Sequence, residues 1–535
     1  MNTVSRRPLA ALVFRVAVLA LLGVAGSGPA VAQGFAYKQA VAEAAAGDPA
    51  LVEFYRTRGF DALWTGRDDR GRRAALLRAL DAAQLHGLPV VRYDGDKLAQ
   101  MLRAARTPRD IGRAEVAASR MFLQYARDIQ TGVLNPGEVD DGIKRRPDRR
   151  DRLAQIVAFS KSTPDAYLRS LIPASMEYNR LLAEKLRLEG VAADGGWGAE
   201  VPGGALEPGD SGPRVVALRN RLVAMGYMRR SAVQLYDADI QRAVQLFQQD
   251  HGLFSDGVVG EDTLAAINRS ATLRLQQVIV AMERERWLGA ERGRRHVLVN
   301  IPDFHVRLVE DGKVVFMTRS VVGLNSHDRR TPEFSDVMDH MIINPTWHVP
   351  RSIAVKEYLP MMKKNPSAAG HLRLYDANGR AVSRNAVDFT RFTPSNFPFD
   401  LKQPPSRSNA LGLVKFMFPN RYNIYLHDTP QKSLFLREER DFSHGCIRLN
   451  DPFDFAYQLL SGQQADPVGY FQSVLATGRE TRVNLENPLP VHLIYRTAFT
   501  RAKGRVQYRN DVYGRDARIF DALREAGVVL GAVRS

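Results

Sequence analysis

The sequence predicts a multidomain α+β chain: a helical N-terminal scaffold, a small three-helix module, and a mostly-β domain interrupted by an inserted helical cap. Three observations predict it. Helical periodicity dominates to about residue 204, a compact helical pattern fills 205–268, and from residue 296 the apolar period changes to two. With 535 residues, 45% hydrophobic and 25% charged, the chain has material for roughly two to four domains with substantial cores.

Residues 1–32 read as an export signal. Arg6 and Arg7 form a positive start, an apolar run extends from Leu9 to Ala25 broken only by Arg15, and Ala30-Val-Ala32 offers a small-residue cleavage site. The uncharged stretch Val16–Ala25 is too short to span ~30 Å of hydrocarbon, so cleavage after Ala32 is expected, with no stable membrane span in the mature chain. This places the protein in the periplasm. Its single cysteine fits neither an internal disulfide nor a lipoprotein anchor. The net charge of +17 suits a polyanionic partner. No nucleic-acid motif accompanies it, which leaves anionic wall polymer or a merely solvated basic surface.

Residues 33–204 form the expected scaffold. Leu76, Leu77, Leu80 and Ala83 recur at helical spacing before Gly87, and Met121, Phe122, Tyr125 and Ile129 repeat the pattern before Gly132 and Pro136. The charged stretch Lys144–Arg152 reads as an exposed connection, and Gly195-Gly196 with Pro202-Gly-Gly204 marks a boundary. In 205–268, Val215, Leu218, Leu222 and Met225 share one helical face, and Ile240, Val244 and Phe247 share a second. A connecting helix over Leu273–Leu288 lies within the expected linker 269–292.

The β domain is expected over 293–485. Val297, Val299 and Ile301 alternate, Asp311-Gly312 supplies a hairpin turn, and Met341–Ile343, Leu413–Phe416 and Tyr422–Leu426 add strands. Residues 351–408 break the pattern with helix-like, proline-rich sequence, long enough to act as a cap or lid. A C-terminal extension over 486–535 carries a strand at Val491–Tyr495 and a short helix near Ile519–Leu523, expected to pack on the catalytic and scaffold regions.

The chemistry concentrates in Asp441–Leu449, which contains Ser443-His-Gly-Cys446. Eighteen residues separate Cys446 from His427, which closes the expected strand Tyr422–Leu426, with Asn423, Tyr425 and His427 on one face. A histidine within folding reach can take the thiol proton and leave the nucleophilic thiolate. Gly445 lets backbone pass close to substrate, and N–H groups around Gly445 and Cys446 could stabilise a tetrahedral oxyanion. An inert buried cysteine is the plain alternative, although flanking Ser, His and Gly are not what packing requires. A phosphatase arrangement would need an arginine where Pro452 sits, and no papain-type signature surrounds Cys446.

These residues resemble the L,D-transpeptidase family with a YkuD-type catalytic domain: a His, about fifteen residues, Ser/Thr-His-Gly-Cys, and Arg or Asn two positions on. Further similarities are Asn344-Pro-Thr-Trp347, Asn409-Ala-Leu-Gly412, Lys415-Phe416 and Tyr425-Leu-His-Asp-Thr-Pro430. Residues 205–268 are similar to peptidoglycan-binding type 1 modules through Gly226-Tyr227, Phe247-Gln248, Gly252-Leu253 and Asp256-Gly257. The likeness covers roughly 205–515 and is to the large multidomain Gram-negative branch; Pro405-Ser406 departs from a common Pro-Gly. It implies Cys446 as nucleophile and His427 as general base. It further implies His444, Gly445, Ser443 and Asp428 in support, and Arg448 and Tyr425 meeting substrate.

The implied reaction is a cysteine thioester formed on a tetrapeptide stem with loss of D-alanine, then transfer to a neighbouring stem as a 3→3 cross-link. No cofactor or metal is implied, other wall synthases are possible partners, and carbapenems are expected to acylate the thiol. Two alternatives stay open: an L,D-carboxypeptidase or hydrolase of stems or wall-protein links, and a non-catalytic wall-anchoring protein.

Overall fold

The computed structural model describes residues 29–289, 291–501 and 504–531. The export segment expected over 1–32 therefore lies outside the described residues up to residue 28, and helix Pro29–Ala45 runs through the expected cleavage point. Among the described residues no helix is long and apolar enough to cross a membrane.

The chain divides into two compact units. The first comprises described residues 29–82, 93–126 and 150–171. It is helical, and Trp64, Phe122 and Phe159 stack at its centre, with centroids 5.2 and 4.3 Å apart for the Trp64–Phe159 and Phe122–Phe159 pairs. Buried Glu115 is satisfied by the N–H groups of Leu63 and Thr65 and the hydroxyl of Tyr55. A buried carboxylate persists because donors replace its water.

The second unit holds residues 83–92, 127–149 and everything from 172 onward. The segment expected as one scaffold over 33–204 is thus shared between the two units. Within the second unit, residues 144–149 are mostly exposed, as expected of a connection, and Arg145 ties them down by donating to Ser335 Oγ and to the Leu493 carbonyl. The three-helix module (Pro213–Ala224, Ala238–His251, Glu261–Asn268) closes over Val215, Leu218, Leu222, Ile240, Val244 and Phe247. Gly252 ends its second helix in the left-handed region at φ 71°, which glycine adopts without strain.

Helix Ala271–Leu288 is more than a connector. It is buried almost all round, including Glu283, Arg284, Glu285 and Arg286. Arg284 pairs with Glu333 at 2.6 Å and Asp516 at 2.9 Å, and Glu285 pairs with Arg496. Buried charges hold only when paired, so this helix clamps the C-terminal extension to the β domain.

The β domain is a closed sheet. Its strands are β1 (Arg295–Asn300), β2 (His305–Glu310), β3 (Lys313–Gly323) and β4 (Phe334–Ile343). The insertion then contributes β5 (Trp347–His348), β6 (Arg373–Tyr375), β7 (Ala381–Val382) and β8 (Asp400–Gln403). β9 (Val414–Met417), β10 (Leu426–His427), β11 (Asp441–Ser443), β12 (Ile447–Leu449) and β13 (Thr481–Ile494) complete it. The order β11-β3-β12-β10-β9-β4-β13-β1-β2 closes through β2–β3 into a ring, with the short β11 attached to the outer end of β3. β13 pairs with both β1 and β4, so the boundary expected at 485 falls inside a strand.

The cap departs from the helical expectation. Helix occupies Arg351–Lys364 and short 3-10 turns Arg384–Ala386 and Phe389–Arg391; the rest is built around the small sheet β5-β8-β6-β7, with a core of Leu359, Met362, Leu374, Phe389 and Leu401. Strands of two to four residues separated by turns are too short to show alternation in sequence. At the neck, the Asn409 amide donates to the carbonyls of Pro345, Gln403 and Pro404, tying both ends of the insertion together.

Candidate active site

β10 and β12 run parallel with Leu426 opposite Ile447 and His427 opposite Arg448. β9 lies antiparallel to β10, with Phe416 opposite Leu426 and Lys415 opposite His427. Paired residues point to the same face of a sheet. Leu426, Ile447 and Phe416 are fully buried in the barrel core. Lys415, His427 and Arg448 therefore form a row on the opposite face, and Tyr425 and Cys446 form the next row. Only two residues, Leu426 and His427, are strand.

The strand expected from Tyr422 is instead a turn. The Asn420 side chain accepts from the N–H groups of Tyr422 and Ile424 and donates to the Ile424 carbonyl, so Asn423 is held at φ 55°. That turn delivers the Asn423 carbonyl to Cys446, whose thiol donates to it at 3.4 Å.

The Cys446 loop is tightly specified. Ser443 Oγ donates to the Cys446 carbonyl at 2.6 Å and accepts the Gly445 N–H at 3.1 Å. Thr331 Oγ1 donates to the Gly445 carbonyl at 2.8 Å. Gly445 stands at φ 113°, where an added Cβ would meet Ile424 Cδ1 at 3.3 Å. Glycine is therefore required both by conformation and by space.

His427 is buried, and its Nδ1 bonds the backbone carbonyl of Asp428 at 2.5 Å. A carbonyl can only accept, so Nδ1 carries the hydrogen and Nε2 keeps its lone pair. The Asp428 carboxylate does a different job: it accepts the Leu413 N–H at 2.9 Å and pairs with Lys432 at 2.8 Å. Burial, with Arg448 second, pulls the His427 pKa down to about 3. The imidazole is neutral at pH 7, as a base must be.

Burial pushes the Cys446 thiol up to about 11, opposed by hydrogen bonds from Tyr425 and by the charges of Arg448 and Lys415. The resting pair is thus neutral thiol and neutral imidazole. Lys415 itself is pulled down by burial, and its Nζ lies 5.9 Å from the Tyr425 ring centroid. Arg448 Nη1 donates to Gln431 Oε1 at 2.6 Å, while its buried Nε has no acceptor among the described residues. Two cations and an unused donor on this face suit a substrate carboxylate.

Two residues that sequence reading did not single out belong here. Lys415 was visible only as part of a family-like dipeptide; its place in the row depends on cross-strand register. Glu357, on the cap, accepts from His444 Nε2 and from Arg329 at 2.6 Å each. Lys356 adds a 2.8 Å pair with Asp328. The cap is therefore fastened to the loop that carries Cys446, and Tyr425 packs against both the barrel core and the cap core. Among the described residues no group of three or more His, Cys, Asp or Glu is arranged to hold a metal ion.

Residues 294–469 match the family described as "L,D-transpeptidase catalytic domain", residues 49–184 match "Scaffold domain", and residues 211–267 match "Putative peptidoglycan binding domain". A Haemophilus influenzae protein described as "Putative L,D-transpeptidase" is 32% identical over 229 residues, 42% of this chain and 45% of that protein. The match thus spans less than half the length of that relative. Two solved L,D-transpeptidases cover 56% of this chain each. One is from Xylanimonas cellulosilytica (16% identity, TM-score 0.18, 98% of that chain) and one from Stackebrandtia nassauensis (14%, 0.22, 97%).

Proposed function

From the L,D-transpeptidase-type catalytic domain carried by residues 294–469, we propose that this protein is an exported wall enzyme acting by acyl transfer through Cys446. The observation that carries the proposal is the shared face: Cys446, Tyr425, His427, Arg448 and Lys415 converge by register on one side of the sheet. We assign His427 Nε2 as the base that takes the thiol proton when the sulfur leaves the Asn423 carbonyl. The sulfur attacks the L-to-D peptide carbonyl after the third residue of a tetrapeptide stem. The tetrahedral oxyanion is met by the Cys446 N–H, and His427 returns the proton to the departing D-alanine amine.

The thioester then passes to the side-chain amine of a diaminopimelate residue on a second stem, forming a 3→3 cross-link and regenerating the thiol. Arg448 and Lys415 hold the stem carboxylates, and His444, Ser443 and Gly445 fix the loop. The domain composition and the basic charge support a periplasmic site of action. The cap, fastened through Glu357, excludes water so that an amine rather than water resolves the thioester.

Incubating the mature chain with disaccharide-tetrapeptide and resolving the products by mass spectrometry tests the reading. Cross-linked dimers with released D-alanine support it. Shortened stems alone would identify a hydrolase, and the absence of any covalent adduct on Cys446 would overturn acyl transfer altogether.

A further inference from the structure

A cavity of about 350 Å³ is lined by residues remote in sequence from the Cys446 face. It is bounded by helix Met176–Ala193, the three-helix module and the C-terminal hairpin of β14 (Ala498–Thr500) and β15 (Val506–Tyr508). Its volume is within the range of small-ligand sites. Three guanidiniums, from Arg187, Arg274 and Arg505, line it against the single carboxylate of Glu184. That carboxylate is already used: Glu184 pairs with Arg187 at 2.7 Å and accepts from Tyr508 OH at 2.8 Å.

Arg274 and Arg505 make no ion pair among the described residues. Arg274 is 3% exposed, donates to Gln277 Oε1 and the Ala266 carbonyl, and lies 4.6 Å from the Tyr508 ring centroid. Arg505 donates to the Gly226 carbonyl and lies 4.5 Å from the Tyr227 ring centroid. Trp197, 8% exposed, also lines the cavity, and its indole Nε1 has no acceptor among the described residues. A buried guanidinium without a carboxylate and an unused buried donor are both costly. Both are satisfied by one anionic guest, and Met225, Ala224 and Val506 supply apolar wall for its body.

We propose that this cavity binds a carboxylate-bearing peptide fragment, its carboxylate held by Arg274 and Arg505 and its polar body by Trp197 Nε1. The anion site stands on the cavity alone; a wall stem peptide as the carrier rests on the function proposed above. Because the site joins the module to the hairpin that follows β13, an occupied cavity would anchor the chain on one stem while Cys446 works on another.

Binding is measured by calorimetry on the full mature chain carrying Cys446→Ala, so that no turnover intervenes. The probes are disaccharide-tetrapeptide, the same molecule with its carboxylates amidated, and a carboxylate-free N-acetylglucosamine oligomer. A binding event that Arg505→Gln and Arg274→Gln each weaken about tenfold or more, that Trp197→Phe weakens less, and that amidation abolishes, supports the proposal. Arg505 is exposed at the cavity mouth, so its variant carries the test even if Arg274→Gln does not fold. Equal binding of charged and amidated probes, or unchanged affinity in Arg505→Gln, overturns it. Failure of acyl transfer is read separately, as absent covalent mass on Cys446 of the wild-type chain.

Discussion

Arg448 stands directly across from His427 in the parallel pair of β10 and β12, so a fixed guanidinium faces the buried imidazole. This one relationship sets two properties at once. The positive charge adds to burial in keeping His427 unprotonated, and it also favours the thiolate form of Cys446 one row away.

The first expectation concerns pH and the thiol. Because burial holds Cys446 near 11, alkylation by iodoacetamide should rise about tenfold per pH unit between pH 7 and 10. A plateau reached near pH 8 would show that the free chain already holds a thiolate. Arg448→Gln should slow alkylation at fixed pH, since it removes a charge that stabilises the thiolate.

The second concerns stability. His427 is depressed from 6.5 to about 3, so the unfolded chain binds more protons between these values, and stability should fall as pH drops from 6.5 toward 3. His427→Gln should flatten that part of the curve in denaturant titrations. Cys446 is raised from 9.0 to about 11, so its contribution has the opposite sign: stability falls as pH rises through that window, and Cys446→Ala removes the loss.

The third concerns the cap. Glu357 joins His444 and Arg329 across the insertion, so Glu357→Ala should leave the Arg329 guanidinium and the His444 ring without this acceptor and let the cap open. The expected result is faster alkylation of Cys446 and a larger hydrolysed fraction of product, with the melting temperature little changed. The pair to Arg329 is about one-third exposed on both sides, so a stability effect beyond about 1 kcal/mol would contradict a latch role.

The fourth concerns Gly412. It stands at φ 60°, and an added Cβ would lie 2.2 Å from Asp428 Oδ2, the atom that accepts the Leu413 N–H. Gly412→Ala should destabilise by more than about 1 kcal/mol and lower kcat, because displacing Asp428 moves the carbonyl that orients His427. Unchanged kcat would mean the Asp428 carbonyl is not what holds the ring.

The fifth concerns Lys415, which was legible in the chain only as half of a family-like dipeptide. Lys415→Met keeps the stem length and deletes the charge, so KM for a stem with free carboxylates should rise while an amidated stem is unaffected. Equal effects on both would assign Lys415 to packing instead.

Sequence alone carried the expectation of cysteine chemistry, because the residues that raise it are local. One cysteine, the Ser443-His-Gly-Cys446 run, the spacing to His427 and the helical period of 205–268 are all read within a few dozen residues. The change of period at 296 likewise announced a β domain, since alternation is a property of each strand by itself. Tertiary structure alone decided what depends on register and long-range packing. That Lys415, His427 and Arg448 share a row, that the Asp428 carbonyl rather than its carboxylate holds the imidazole, and that Glu357 reaches His444 across 87 residues follow from strand pairing and cap docking. A one-residue slip in register would send each of these side chains to the other face, and no local pattern in the chain encodes which partner strand is chosen.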